Sequence, residues 1–361
     1  MPKLTAPLWS VIALALLSGA CHHAAEPTAK PAAAAAAPTD EGEQRADAVG
    51  QRHIGSPAPA LVVKTIDGQT IDLAKLYGAK PVYLKFWATW CIPCRAQMPG
   101  FERTFETLGD QIQVISVNAG LDDDAGTVRA FRAQFGLKMP MVVDDGRLAA
   151  ALDLQVTPQH VLIGRDAKIA FIGHLDGDRL ADAIHKVLAA PAPAAATAAP
   201  AAAVRPAFRV GDVVQGIEAK MIDGGTVAIG PSRDGRPRAV VLFSAFCESY
   251  DGIKNNRPDK LETCRRIREE IEPLIAQGEV DWLGIAHNLW MTKEDVAEYR
   301  TTVHTKLPLA FDAEGALFRA FDVHQMPTVA LIAADGHLVR MVGPDDHDLT
   351  AAVHALAQAR R

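Results

Sequence analysis

The sequence carries little net charge, −6 over 361 residues with histidine neutral, and no block of one sign. Lys and Arg are scattered among Asp and Glu, which excludes the basic surface that nucleic acid or an anionic membrane face requires. Long apolar runs are missing as well. The stretch near the start, Leu8 to Leu17 (LWSVIALALL), is ten residues, too short to cross a ~30 Å hydrocarbon core as a helix. Cysteines number five, and Cys91 and Cys94 form the one C-x-x-C. No second such pair or nearby Cys/His pair completes the four ligands of a structural zinc site. The histidines, among them His53, His160, His174, His185 and His287, lack metal-ligand spacing, and most read as surface residues. No Ser-His-Asp or Cys-His set, phosphate loop or paired-acid site stands out, so no metal and no cofactor is expected.

Lys3 followed by Leu8–Leu17 has the build of a signal peptide. It ends S-G-A-C at Ser18–Cys21, which resembles a bacterial lipobox with Leu17 one place farther from the cysteine than usual. The alternative is an ordinary signal peptide with an incidental cysteine. On the lipobox reading residues 1–21 are a lipoprotein-type signal, Cys21 is lipidated, and four cysteines remain. Either way the chain is exported to a compartment where disulfides form, the periplasm or outer cell-envelope face. Residues 22–52 are Ala/Pro-rich and read as a flexible tether, and a second Ala/Pro tract at 190–206 separates domains at 53–189 and 207–361. These tracts inflate a hydrophobic fraction of 49%.

The two halves are related. Gly55 to Cys94 lies over Gly211 to Tyr250 without a gap: Asp67-Gly68 falls on Asp223-Gly224 and Cys91 on Cys247. Farther on, Leu152–Pro158 (LDLQVTP) lies over Phe321–Pro327 (FDVHQMP). Two domain-sized copies are a duplication rather than a solenoid. Within the first, apolar runs at Pro81–Trp87, Ile112–Val117, Met141–Val143, Val161–Ile163 and Ile169–Ile172 alternate with helical spacing from Cys91, at Thr127–Phe135, Gly146–Leu154 and Leu180–Leu188. Strand–helix–strand followed by a hairpin and a last helix predicts an α/β fold, a mixed central sheet with helices on both faces.

FWATWCIPCR with a downstream Thr-Pro before a strand resembles the thioredoxin fold, and the W-A-T-W form with its preceding G-x-x-A-P resembles the TlpA/ResA branch of exported thiol–disulfide oxidoreductases. The resemblance covers about 53–189 strongly and 207–361 weakly, and implies two tandem thioredoxin-like domains, the second degenerate. Cys91 and Cys94 stand where a strand meets a helix. Free amides and the helix dipole favour a thiolate there, and only the thiolate attacks a disulfide. Pro93 is tolerated in that first turn. The resemblance makes Cys91 the nucleophile and Cys94 the resolving thiol. It places Trp90, Pro93, Thr157 and Pro158 against the substrate, and makes Thr157-Pro158 a cis bond whose first residue presents its backbone to a client. Pro99 is expected to kink the helix. Where thioredoxins bury an acid, this chain has Lys85. It either points inward, where its charge would tune the redox poise, or snorkels to solvent.

The second copy keeps Cys247 but has Tyr250 at the resolving position, with Cys264 beyond a turn-rich insert. Leu261, Cys264, Ile267 and Ile271 share one face of a helix starting near Pro258. Residues 17 apart on one continuous helix lie ~25 Å apart, so the sulfurs meet only if Asp251–Arg257 loops out. A structural disulfide, a reversible relay pair, and copper binding with His324 or Met326 by analogy with Sco-type proteins remain open. Met326-Pro327 aligns with the cis-proline loop.

The expected function is thiol–disulfide exchange with protein clients through Cys91 and Cys94, as a reductant drawing on a membrane-embedded electron donor, with no nucleic-acid partner. The alternative is a non-catalytic binding or copper-delivery protein.

Overall fold

The computed structural model describes residues 40–191, 198–200, 205–248 and 257–359. The signal segment with Cys21, the tether up to residue 39, Tyr250 and most of the insert after Cys247 lie outside the described residues.

The first copy begins with α1 (Glu41–His53), then β1 (Pro59–Ala60), β2 (Val62–Lys64), β3 (Thr70–Asp72) and the single turn α2 (Leu73–Leu76). Its body is β4 (Val82–Trp87), α3 (Ile92–Leu108), β5 (Gln113–Asn118), α4 (Ala125–Phe135), β6 (Met141–Val143), α5 (Arg147–Ala151), β7 (Gln159–Ile163), β8 (Ile169–Gly173) and α6 (Asp178–Ala189). The strand order is β6-β5-β4-β7-β8. β5 pairs in parallel with β4 and β6, whereas β7 runs antiparallel to β4 and β8. All six residues of central β4 are buried, because helices cover both faces.

After β9 (Ala199–Pro200), the second copy runs β10 (Ile217–Lys220), β11 (Thr226–Ile229), β12 (Arg238–Phe243), α7 (Pro258–Gln277), β13 (Asp281–His287), α8 (Lys293–Val303), β14 (Leu309–Asp312), α9 (Ala316–Ala320), β15 (Thr328–Ile332), β16 (Leu338–Val342) and α10 (Leu349–Gln358). Its order β14-β13-β12-β15-β16, with the same pattern of parallel and antiparallel pairs, repeats the first sheet. The chain is thus α/β, with two five-stranded mixed sheets of thioredoxin-like build. α3 runs through Pro99 and α7 through Pro273.

The expected tether 22–52 is corrected at its end, where α1 forms. Asp40 caps it by accepting the Glu43 N–H at 2.8 Å, and Ala46 and Val49, one turn apart, enter the first core. The tract at 190–206 is also partly structured, since Ala199–Pro200 pairs in parallel with Pro59–Ala60. Backbone hydrogen bonding needs no apolar side chain, so composition conceals such a pairing.

Candidate active site

β4 delivers the chain to the turn Ala88–Trp90, and the Cys91 N–H closes it on the Ala88 carbonyl at 3.2 Å. Cys91 caps α3: its Sγ accepts the Cys94 N–H at 3.2 Å, with Pro93 in the first turn. Cys91 and Cys94 are joined as a disulfide with Cα atoms 5.2 Å apart. Thr157-Pro158 is cis, and the Thr157 carbonyl oxygen lies 3.3 Å from Cys91 Sγ. Half-buried Trp90 donates its indole N–H to Leu121 O at 2.9 Å. The structure therefore brings Trp90, Cys91, Pro93, Cys94, Thr157 and Pro158 into one site. Buried Asp123 fixes the turn by accepting the Thr89 N–H and hydroxyl and the Asn118 amide. Burial pushes its carboxyl above the usual range.

Lys85 points inward. It is wholly buried and sits 5.4 Å from the centroid of Phe101 on α3, and among the described residues its Nζ has no hydrogen-bond partner. Burial lowers its pKa to about 7, opposed by the charge of Asp176. Across the sheet it faces His160, the middle of a buried polar chain. Gln97 Nε2 donates to His174 O at 3.1 Å, which leaves Gln97 Oε1 as the acceptor 3.0 Å from His160 Nε2. His160 is therefore assigned as the Nε2–H tautomer, and its Nδ1 accepts the Tyr83 hydroxyl at 2.7 Å. Burial first, then Lys85, holds His160 well below the imidazole range. His174 extends the chain by donating from Nδ1 to Pro158 O at 2.7 Å. The network thus ties the underside of α3 to the loop beside Cys91.

The expectation of surface histidines is corrected for His160, His174 and His287, which are 0%, 3% and 5% exposed. Gln97, His160 and His174 were missed as site residues. The available signal was a glutamine on the inward face of α3 beside Cys94 and Met98.

In the second copy the Cys247 N–H closes the same turn, on Ser244 O at 3.2 Å. Cys264, on the inward face of α7 with Ile267 and Ile271, is disulfide-bonded to Cys247 at a Cα separation of 6.2 Å. Arg268 grips Glu248 with two hydrogen bonds, at 2.7 and 3.0 Å, beside the pair. Met326-Pro327 is cis, and the Met326 N–H donates to Asp122 of the first copy at 3.0 Å. His324 has partners at both ring nitrogens, Gly120 O and Asp322. Among the described residues no cluster of three His, Cys, Asp or Glu is placed to hold a metal ion.

The first copy resembles known proteins in sequence. The profile of the AhpC/TSA family matches residues 54–172. Thiol-disulfide oxidoreductase ResA of Bacillus anthracis is 33% identical over 138 residues, 37% of this chain and 78% of that one. The thioredoxin-like protein YneN of Bacillus subtilis is 34% identical over 105 residues, 29% of this chain and 61% of that one. Among solved structures, a putative thiol:disulfide interchange protein DsbE from Chlorobium tepidum aligns over 37% of this chain and 97% of its own, at 28% identity and TM-score 0.34. The chain belongs to the ResA family of thiol–disulfide oxidoreductases.

Proposed function

We propose that the protein exchanges disulfides with extracytoplasmic protein clients through Cys91 and Cys94, working as a reductant. The observation that carries this is Cys91 at the N-cap of α3 with its sulfur beside the Thr157 carbonyl. The cap amides point at the sulfur and favour negative charge on it, and the Thr157–Pro158 loop offers backbone to a client strand. In the reductive direction the Cys91 thiolate attacks one sulfur of a client disulfide and expels the other as a thiolate. Cys94 then attacks Cys91 Sγ, releasing the second client thiolate and leaving the Cys91–Cys94 disulfide. Two electrons and two protons from a membrane-embedded donor restore the dithiol. Lys85 tunes the poise: protonated, it places positive charge beneath the helix that carries both cysteines and favours their reduced, thiolate form.

Residues 1–21 act as a lipoprotein signal and Cys21 anchors the chain to a bacterial membrane, on the periplasmic or outer envelope face. What supports this is the sequence, where an apolar run ends S-G-A-C at Ser18–Cys21. The Cys247–Cys264 disulfide is structural, holding the start of α7 against β12.

The test is Cys94→Ser in the full chain. It should trap clients on Cys91 as mixed disulfides that dithiothreitol releases. A variant that traps nothing, in a protein that reduces no insulin, would leave only the binding reading.

A further inference from the structure

The two copies meet through equivalent loops. Asn118 pairs with Trp87 as Ala286 pairs with Phe243, and four residues beyond each lie Asp122 and Trp290. Both have left-handed backbone, φ 56° and 64°. For a tryptophan that conformation is uncommon and persists only where the surroundings impose it. Each then reaches the other copy three residues before its cis-proline: the Asp122 N–H donates to His324 O at 2.6 Å and the Trp290 N–H to Gln155 O at 2.8 Å. The clamp is reciprocal in backbone but not in side chain. Asp122 binds Met326 N–H at 3.0 Å and Lys260 at 2.6 Å, tying down the second copy's loop. Trp290 donates its indole N–H to Thr157 Oγ1 at 3.2 Å and meets His174 edge-on, with centroids 5.4 Å apart. Leu289 beside it is buried in the first copy's core.

Trp290 therefore stands on the residue whose carbonyl touches Cys91 Sγ, and Cys91 is only 3% exposed. On the other side, α1 closes over His174, whose backbone N–H donates to Glu43 at 2.8 Å. Two apolar side chains are exposed on this side: Ile92 and Leu175, the residues after Cys91 and His174, are 47% and 43% exposed. Behind the clamp the copies leave a cavity of about 340 Å³ lined in part by His53, Leu121, Asn288 and His324, so the contact is not packed solid.

We propose that Trp290 is a specificity-determining residue: the second copy supplies it as a fixed wall of the cleft over Cys91, narrowing entry to extended, apolar client segments and excluding folded surfaces. This rests on the exchange reading above for its clients, but not for its test. In the reduced full chain, modification at Cys91 is followed by peptide mass mapping with iodoacetamide and with the rigid, bulky fluorescein-5-maleimide. Trp290→Ala should raise the ratio of bulky to small reagent rates at least tenfold. Trp290→Phe keeps the bulk and should stay within twofold of the parent ratio. Should Trp290→Ala fail to fold, Asp122→Asn loosens the same clamp from its other half and should raise the ratio about threefold. An unchanged or lower ratio in the variant that folds, or Phe behaving as Ala, overturns the proposal. Alkylation needs no client, so size selection in a protein that fails the Cys94→Ser trap would uphold the wall and sink the exchange reading alone.

Discussion

The two sheets share strand order and register, yet they are filled differently beneath the cysteine helix. Lys85, fourth in β4, pairs with His160 on β7; Val241, fourth in β12, pairs with Val329 on β15. Tyr83, second in β4, has Ala239 as its counterpart, and His174, one past β8, has Gly343 one past β16. At the turn, Thr89 N–H is held by the Asp123 carboxylate where Ala245 N–H is held by Met291 Sδ. At these equivalent positions the copy with the Cys-x-x-Cys thus buries an amine, an imidazole and a phenol, while the other buries aliphatic side chains. Burying ionisable groups costs stability and is kept where chemistry uses them. That contrast fits the proposals made above, in which the first copy is the redox centre and the second a scaffold that lends it a wall.

Exchanging the cysteines tests that division most severely. Cys91→Ser should lower reduction of a protein disulfide by ~10³-fold or more, because no thiolate remains to attack. Cys247→Ser should leave the rate within about threefold. Equal losses in insulin-reduction assays would make the second pair a relay and erase the distinction.

Lys85 is the next place to press. Its amine titrates near 7 in the folded protein and near 10.5 when solvated. Above pH ~10.5 both states are neutral and its burial carries no charge penalty. As pH falls, the unfolded chain takes up the proton first, so the penalty grows and is complete below about pH 7. Lys85→Met should therefore stabilise the protein by roughly 3–5 kcal/mol at pH 7, and the gain should fade toward pH 10. Denaturant melts across that range measure it, and a gain flat with pH would deny the cause. The same change should move the Cys91–Cys94 potential to more negative values by about 15–30 mV, since a charge favouring thiolates is lost.

The stability of the second copy should depend on its own cross-link. Cys247–Cys264 closes a 17-residue separation, and the first pair closes 3. On loop entropy, Cys247→Ala with Cys264→Ala should cost about 3 kcal/mol, against about 1–2 for Cys91→Ala with Cys94→Ala. Comparable losses in urea midpoints would mean that loop length is not what separates the two bridges.

The sequence carried the duplication, the alternation of strands and helices and the first cysteine pair, because each rests on local pattern. Periodicity, turn residues and C-x-x-C spacing are all written within a few residues. It also brought Cys264 to the inward face of its helix, but could only leave open whether the sulfurs meet, since a return of chain decides that. α1 was hidden by neighbouring composition: the alanines and prolines before Asp40 coloured a segment whose Asp40 and Glu43 already spell a helix start. The buried histidines and the Asp122–Trp290 clamp were illegible for another reason. A lone histidine or tryptophan acquires meaning from what the other copy places beside it, and no spacing records a contact across 133 residues such as Trp290 with Thr157.

The smallest effect concerns the polar chain that the second copy lacks. Tyr83→Phe removes the hydroxyl that donates to His160 Nδ1 and leaves that nitrogen buried without a donor. The loss should be about 1–2 kcal/mol, seen as a lower urea midpoint with an unchanged slope. His160→Val imports the second copy's residue and removes the acceptor itself. Added to Tyr83→Phe, it should cost less than the two single changes summed, because the orphaned nitrogen goes with the ring. A strictly additive cycle would show that the hydroxyl and the imidazole act independently. The network under α3 would then be a set of separate buried groups, and its absence from the second copy would say nothing about redox work.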